Sequence, residues 1–408
     1  MADAGRVATL RAELPVTAEY VFLNSGTCGP IARPVHEVMA AHADRELREG
    51  RIGARARAIA QELEAASRAA IASVIGAAAD QIALTHHTTE GVNIVVWGLD
   101  WRSGDEILSS DLEHASGLLP AYGVAKRYDA RLRLLPLQRA EQDPTDAIIG
   151  ALTDRTKLVI VSHVVYGTGQ RLDVGRIAGA AHAVGARVLV DGAQSVGVLP
   201  LNVADLGVDF YTVSGQKWLG GPVGTGGLYV APGQIDALRQ TFLGYHSVQA
   251  KDFAGDFTPK PGAQRFEDAS YHDPSLAGQA ASVDWLREKA ELDWVYARIA
   301  EQAGRARRWL RDVPGLRLLT PDGDGQQAGL VSFLVDDTDP QRLVEALARR
   351  RILCRYIPSP YCARVSIGFF TTDDEIGQLV GAIDEIRQSG EARPADAAAG
   401  APGLAAQK

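Results

Sequence analysis

Lys217 stands out among the residues that could do chemistry. It is one of seven lysines in 408 residues, and it lies in "DFYTVSGQKWLGGPVGTGG", between a strand-like run and a cluster of glycines. The preceding strand-like run, "RVLVD", ends at Asp191. Parallel strands of an α/β sheet end at one edge, where ligands bind, so these two residues are expected to converge there. A lysine that forms a Schiff base and an acid that keeps a pyridine nitrogen protonated are what pyridoxal 5'-phosphate (PLP) requires.

Each residue alone has a simpler interpretation. A lysine at a strand end is usually a solvated charge, and an Asp-Gly pair usually makes a turn. Both residue types at the ends of neighbouring strands favour the cofactor instead. Other phosphate motifs fail, because the chain has no GxxxxGK[ST] and "GGPVGTGG" does not supply GxGxxG between a strand and a helix. The sequence therefore predicts PLP as cofactor, and we assign no metal ligands.

Composition excludes several other classes of protein. A chain of 408 residues with 46% hydrophobic and 23% charged residues is typical of a globular protein of two or three domains. No apolar run reaches the roughly 18 residues of a membrane span, and the N-terminus lacks the apolar core of a secretory signal. Three cysteines are too few for a disulfide framework, and a net charge of -8 without a basic stripe argues against nucleic acid. These features predict a cytoplasmic protein that binds a small molecule.

The first two thirds of the chain has an α/β rhythm. Helical spacing over 32–75 predicts two helices, and the stretches between most of the strand candidates are long enough for crossover helices, such as 175–186. The strand candidates are 81–86, 105–110, 131–137, 157–163, 187–193, 209–214 and 226–231. This pattern predicts an α/β large domain with a mostly parallel seven-stranded sheet covered by helices.

The last third predicts a smaller α+β domain. A long excursion over 244–276 and a helical region near 280–312 come first. Strand, strand, helix, strand ("RILCRY"), strand and helix follow, and Thr372 and Glu375 form a capping box for the last helix. We predict an N-terminal segment at 1–20, the large domain at 21–280, the small domain at 281–390 and a disordered tail at 391–408.

The run "VLVDGAQSVGVLPLNVADLGVDFYTVSGQKWLGGPVGTGGLYV" resembles the cofactor-binding core of class V aminotransferases. This branch of the fold type I PLP enzymes includes cysteine desulfurases, selenocysteine lyases and isopenicillin N epimerase-like proteins. The resemblance extends from "VFLNSGTCGP" to "RVSIGFFTTDDEI". It implies the fold type I architecture of two domains and a homodimer whose subunits share each active site.

The resemblance also implies roles for individual residues. Lys217 would form the Schiff base, Asp191 would pair with the ring nitrogen, His114 would stack on the ring, and Gln194 would bond the ring hydroxyl. The phosphate ligands would be Thr88, Thr89, Ser214, Gln216 and, from the partner subunit, Ser270. Gln216 stands where the family usually has histidine, so it keeps a donor but loses the titratable charge.

The substrate residues are expected from the small domain and from loops. Arg364 resembles the arginine that binds the α-carboxylate of an amino acid, with Arg355 as a weaker candidate. Tyr166 occupies a place often filled by asparagine near the ring. Asn24, near Thr27, is expected to shape the substrate pocket.

Several reactions remain open once the substrate forms its Schiff base and Lys217 removes the α-proton. We favour a carbon-sulfur β-lyase, with transamination as the alternative, then epimerisation or cysteine desulfuration; a silent PLP-fold binding protein is the non-enzymatic alternative. Desulfurases carry a nucleophilic cysteine on a long loop, but here Pro358 and Pro360 stiffen a short connection to Cys362. We therefore interpret Cys362 as structural or incidental, and Cys354 as a core residue.

Overall fold

The computed structural model describes residues 2–138, 142–323 and 325–394. The helices in these ranges are α1 (Ala2–Ala12), α2 (Val16–Glu19), α3 (Arg33–Glu49), α4 (Ala54–Ile75), α5 (Thr88–Gly98), α6 (Ala115–Tyr128), α7 (Pro144–Gly150), α8 (Val174–Ala183), α9 (Val203–Leu206), α10 (Asp273–Asp284), α11 (Leu292–Arg311), α12 (Pro340–Arg349) and α13 (Asp373–Ser389). The strands are β1 (Val21–Phe22), β2 (Ile82–Thr85), β3 (Glu106–Ser110), β4 (Arg131–Leu135), β5 (Thr156–Ser162), β6 (Arg187–Asp191), β7 (Phe210–Ser214), β8 (Gly226–Val230), β9 (Val248–Lys251), β10 (Phe257–Pro259), β11 (Leu316–Leu318), β12 (Leu330–Val335), β13 (Ile352–Leu353), β14 (Arg355–Pro358) and β15 (Tyr361–Ser366).

The large sheet consists of the seven predicted strands in the order β2-β8-β7-β6-β5-β3-β4. Strands β3 to β7 pair in parallel, whereas β8 runs antiparallel to both of its neighbours. The prediction of a mostly parallel seven-stranded sheet is confirmed. Nearly every residue of the central strands is buried, which is typical of parallel strands covered by helices on both faces.

The small sheet is antiparallel, in the order β11-β12-β15-β14. The single strand predicted at "RILCRY" is in fact two strands that serve different sheets. Its first part, β13, pairs in parallel with β1, and its second part, β14, forms a hairpin with β15. Only long-range pairing with β1 could divide this run, so its local sequence pattern did not reveal the break.

The N-terminal residues contribute to both hydrophobic cores. Leu10 and Leu14 lie in the core of the large sheet, whereas Val21 and Leu23 pack with the small sheet. The N-terminal segment therefore contacts both domains before the chain enters the first strand of the large sheet. The boundaries of 1–20, 21–280 and 281–390 remain a prediction.

The helical region predicted near 280–312 is interrupted. A π-helical turn, Trp285–Ala290, separates α10 from α11, and Glu291 follows it with a φ of 60°. A non-glycine residue rarely adopts this left-handed conformation, so the junction is a local break in the helix.

The predicted tail at 391–408 falls mostly outside the described residues, from 395 onward. Its first residues, in contrast, pack on the small domain. Ala392 is buried, and Glu391 pairs with Arg349, the last residue of α12, and with Arg350, which follows it. Among the described residues, none of the helices combines the length and the apolarity required to cross a lipid bilayer.

Candidate active site

A cavity of about 410 Å³ opens at the carboxyl ends of the parallel strands. It brings together ten of the residues selected from the sequence: Thr88, Thr89, His114, Tyr166, Asp191, Gln194, Ser214, Gln216, Lys217 and Arg364. These residues come from segments spread over most of the chain, so only the fold assembles them.

Asp191 and Lys217 are positioned by adjacent strands. Asp191 is the last residue of β6, and its Oδ1 accepts a hydrogen bond from the Ala193 backbone N–H at 2.9 Å. The turn needs glycine at 192, because a Cβ there would overlap the Tyr211 ring and the Thr212 carbonyl oxygen. Lys217 follows β7 in the next turn, as the sequence predicted.

The lowered pKa of Lys217 allows its amine to act as a base near neutral pH. Burial lowers the pKa of its amine to about 8; Asp191 opposes this shift, and the guanidinium groups of Arg364 and Arg355 add to it. A substantial fraction of the amine is therefore neutral at physiological pH, which both Schiff-base formation and proton abstraction require.

The end of the cavity that is predicted to bind the phosphate lies at the N-terminus of α5. Thr88 and Thr89 open this helix, whose 11 residues begin immediately after the His87 cap. The first N–H groups of a helix have no partner within the helix and attract anions. Ser214 at the end of β7, together with Gln216, adds polar groups to the same cavity.

His114 caps α6 and lies beside the predicted ring position. Its Nδ1 accepts a hydrogen bond from the Ser116 N–H at 3.2 Å, and its ring meets that of Tyr166 edge to face, with centroids 5.0 Å apart. Burial lowers the pKa of His114, although Asp191 partly opposes the shift. A neutral, oriented imidazole is suited to stacking on an aromatic ring.

Gln194 and Tyr166 are each held by further contacts. The Gln194 amide donates to the Gly26 carbonyl oxygen and accepts from Trp218 Nε1, both at 2.9 Å. One N–H of this amide remains for a ring hydroxyl. The Tyr166 hydroxyl donates to the Ser359 carbonyl oxygen at 2.9 Å, which links the cavity wall to the β14-β15 turn.

Arg364 is the largest fully buried side chain of the described residues. Its Nη1 donates to the Tyr166 carbonyl oxygen at 2.8 Å, but its Nε and Nη2 have no partner among the described residues. Burial, followed by the charge of Arg355, lowers the pKa of Arg364 to about 10. Leaving buried donors unpaired is costly, so these two nitrogens indicate a ligand that supplies acceptors.

Two predicted residues do not line this cavity. Ser270 is exposed, hydrogen-bonds Tyr245, and borders a different depression beside α3 and α4. Asn24 instead accepts a hydrogen bond from the Thr27 hydroxyl at 2.8 Å, and Thr27 is the residue that lines the cavity. Asn24 therefore holds Thr27 in place and does not line the cavity itself. The sequence did not reveal this, because turn geometry decides which of the two side chains faces the cavity.

Glu113 and Ser162, which were not predicted from the sequence, form a buried pair behind the cavity. Ser162 lines the cavity and donates to Glu113 Oε2 at 2.5 Å. Burial raises the pKa of Glu113 to about 7; the Ser162 hydrogen bond opposes the shift, and Asp191 adds to it. The signal available in the sequence was the acidic residue immediately before His114.

The residues present fit PLP. The cavity combines an amine of lowered pKa, a carboxylate on the neighbouring strand, hydroxyl groups at a helix N-terminus and a flanking imidazole. The fold and this donor set define a PLP-dependent enzyme of fold type I.

Comparison with known proteins identifies the family. The model of the family described as aminotransferase class-V matches residues 31–379, and the chain belongs to this family. It is 33% identical over 342 residues to the isopenicillin N epimerase of Streptomyces clavuligerus, covering 78% of this chain and 83% of that protein. A probable cysteine desulfurase of Methanothermobacter thermautotrophicus is 27% identical over 409 residues, with coverages of 94% and 99%.

A solved structure extends the likeness to the whole fold. The cystine C-S lyase C-DES, in complex with its reaction product cysteine persulfide, matches with a TM-score of 0.86 and 32% sequence identity, covering 91% of this chain and 99% of that one. The predictions of the family, of the fold type I architecture, of the PLP cofactor and of an enzyme acting on an amino acid are confirmed.

Proposed function

We propose that the enzyme is a carbon-sulfur β-lyase that cleaves S-substituted cysteines. The reaction consumes the cysteine derivative and water and releases pyruvate, ammonia and a thiol, so atoms and electrons balance without an added oxidant or reductant. C-DES, which is similar over most of both chains, is described as a cystine C-S lyase.

The placement of Cys362 is the observation that favours a lyase over a cysteine desulfurase. A desulfurase passes sulfur to a nucleophilic cysteine, but none of the described residues that line the cavity is a cysteine. Cys362 lies inside β15 after the two-residue turn at 359–360, and burial raises the pKa of its thiol to about 11. Cys28 is half-buried beside Gln216, whose Nε2 lies 3.7 Å from its Sγ, and Cys28 does not line the cavity.

Each side chain that lines the cavity would have its own role in the reaction. Thr88, Thr89, Ser214 and Gln216 would hold the phosphate, Asp191 the ring nitrogen, and His114 one face of the ring. Bound PLP supplies an electron-poor ring that stabilises the electron pair left when the α-proton is removed. The neutral amine of Lys217 takes that proton and can then deliver it to the departing sulfur.

The direct test is product formation from a panel of S-substituted cysteines. We expect stoichiometric pyruvate and ammonia from the wild type and neither from Lys217→Ala. Transfer of the amine to an added keto acid, without pyruvate from the cysteine derivative, would show a transaminase instead.

Epimerisation is a second candidate because of the identity of 33% to an isopenicillin N epimerase. An epimerase exchanges the α-hydrogen and returns it to the opposite face without breaking a bond to sulfur. Chiral chromatography of unreacted amino acid after incubation in deuterated water distinguishes the two, since a lyase gives pyruvate rather than a labelled D-enantiomer.

We also infer a homodimer, with Ser270 completing the phosphate site of the partner subunit. Two observations support it: Ser270 lies outside the cavity of its own chain, and the segment before it exposes large apolar side chains. These side chains are Phe242, Leu243, Tyr245, Phe253 and Phe257.

Mixing inactive variants tests this arrangement. Heterodimers of Lys217→Ala and Ser270→Ala subunits would contain one intact site, so activity should rise on mixing. Activity that never exceeds that of Ser270→Ala would contradict sharing. We further expect the enzyme to work in a reducing cytoplasm, where its three free cysteines stay reduced, which fractionation of cells would test.

A further inference from the structure

Arg355 and Arg364 face each other directly across the β14-β15 hairpin. They are Cα partners in the antiparallel ladder, and both line the cavity that contains Lys217. Side chains at opposed positions of an antiparallel pair lie on the same face, where like charges destabilise the sheet. Neither guanidinium forms an ion pair with a carboxylate of the described residues, so this arrangement favours anionic ligands.

Arg364 can satisfy one carboxylate by itself. Its Nη1 already donates to Tyr166, which leaves Nε and Nη2, the two donors on one edge of the guanidinium, without partners. This edge matches the two oxygens of one carboxylate in a bidentate pair. An α-carboxylate bound in this way needs no second arginine.

Arg355 is then left without a role. It is half-buried, and its only side-chain hydrogen bond in the described structure is a long one, 3.4 Å from Nη1 to the Thr27 hydroxyl. Thr27 is in turn held by Asn24. A cation fixed at the cavity wall by a single weak contact is available to a second anion.

We propose that Arg355 binds a second carboxylate, carried on the sulfur-linked part of the substrate. The substrates would then be S-substituted cysteines whose departing sulfur fragment bears an acid group, with cystine, which would release cysteine persulfide, as one example. This inference rests on the proposed lyase function. It assigns Arg364 to the α-carboxylate, common to all amino acids, and Arg355 to the group that distinguishes this substrate class.

The test uses two substrates that differ only in charge. S-(2-carboxyethyl)cysteine and its amide, S-(2-carbamoylethyl)cysteine, have nearly the same shape. The wild type should prefer the acid in kcat/KM by roughly 10- to 100-fold, the range that one charge-assisted interaction provides. Arg355→Gln should abolish this preference by lowering kcat/KM for the acid alone, and Arg355→Lys should restore part of it. Arg364→Gln should impair both substrates.

The control is Arg317→Gln, which removes one exposed positive charge from β11 of the same domain, outside the cavity. It should leave the preference unchanged. An equal loss for both substrates in Arg355→Gln, or a wild type without preference for the acid, would overturn the proposal. An equal loss would mean that both arginines serve the α-carboxylate, which the two substrates share.

A binding measurement separates this proposal from the lyase reaction. 2-Aminopimelate is the carbon analogue of the acid substrate and has no sulfur to expel, so its binding can be followed through cofactor absorbance in the holoenzyme. We expect Arg355→Gln to raise its dissociation constant at least about 10-fold relative to that of its ω-amide. If no cysteine derivative yields pyruvate but this selectivity is found, the lyase assignment fails and the second carboxylate site stands. If 2-aminopimelate and its ω-amide bind equally well in both the wild type and Arg355→Gln, the proposed second carboxylate site is wrong.

Discussion

Ser162 donates a hydrogen bond to the buried carboxyl group of Glu113 at 2.5 Å, and the other Glu113 oxygen has no partner among the described residues. Ser162 is the ladder neighbour of Asp191, and Glu113 directly precedes His114. The pair therefore joins the segments that position the acid and the imidazole of the site.

Glu113→Gln should stabilise the cofactor-free protein at alkaline pH and not at acidic pH. Burial raises the pKa of Glu113 from 4.5 to about 7, so the stability it contributes is complete below pH 4.5 and is lost as pH rises through 7. The shift corresponds to roughly 3 kcal/mol at pH 8 and little at pH 5. Urea unfolding at both values measures the difference. Ser162→Ala, which retains the carboxyl group, is the control, and a pH-independent effect of Glu113→Gln would contradict the argument.

The rate at which cofactor-free enzyme takes up PLP should depend on pH with a midpoint near 8. Only the neutral amine of Lys217 attacks the aldehyde, and its pKa is lowered from 10.5 to about 8. The rate should therefore rise up to pH 8 and then level off, as followed by absorbance. Arg364→Gln removes a neighbouring positive charge and should move the midpoint upward. A wild-type midpoint near 10.5 would refute the assignment, as would a borohydride-reduced adduct on Lys217→Ala.

Gly29→Ala should weaken cofactor binding through the backbone of Lys217. A Cβ at Gly29 would overlap the carbonyl oxygen of Lys217, and the Gly29 N–H donates to the Gln216 carbonyl oxygen at 2.8 Å. We expect a loss of stability of about 1–3 kcal/mol and reduced PLP occupancy. Gly179→Ala is the matched control, because a Cβ there meets no atom within 4 Å and α8 should gain about 0.5–1 kcal/mol. Equal melting temperatures for the two variants would contradict this account.

Cys362→Ala should retain lyase activity within about 3-fold. A thiol with a pKa of about 11 is roughly one part in a thousand thiolate at pH 8, too little for an efficient nucleophile. Cys354→Ala is the control, because burial likewise raises the pKa of that thiol, to about 12. Loss of activity in Cys362→Ala alone, with the fold intact by circular dichroism, would point to persulfide chemistry.

The local features of this protein could be read from its sequence. All seven strands of the large sheet, the capping box of Thr372 and Glu375, and the convergence of Asp191 and Lys217 at one sheet edge were predicted. Each depends on short-range periodicity or on the rule that parallel strands end at a common edge. Most of the cofactor residues, such as His114 and Gln194, were assigned through the family resemblance, and their roles remain predictions.

Other features depend on contacts between distant parts of the chain. The division of "RILCRY" into β13 and β14, the exposure of Thr27 rather than Asn24 to the cavity and the buried pair of Glu113 with Ser162 leave no periodic signal. Strand register and side-chain burial are set by packing across the whole domain, which a local pattern does not encode.

The sequence by itself thus determined the fold class, the cofactor and the convergence of Asp191 and Lys217 in one cavity, because these follow from residue type and strand order. Only the tertiary structure decided that Arg355 and Arg364 oppose each other in one cavity and that Cys362 is buried away from it. The physical reason is that charge repulsion, burial and pKa shifts arise from distances between side chains, and the folded chain alone sets those distances.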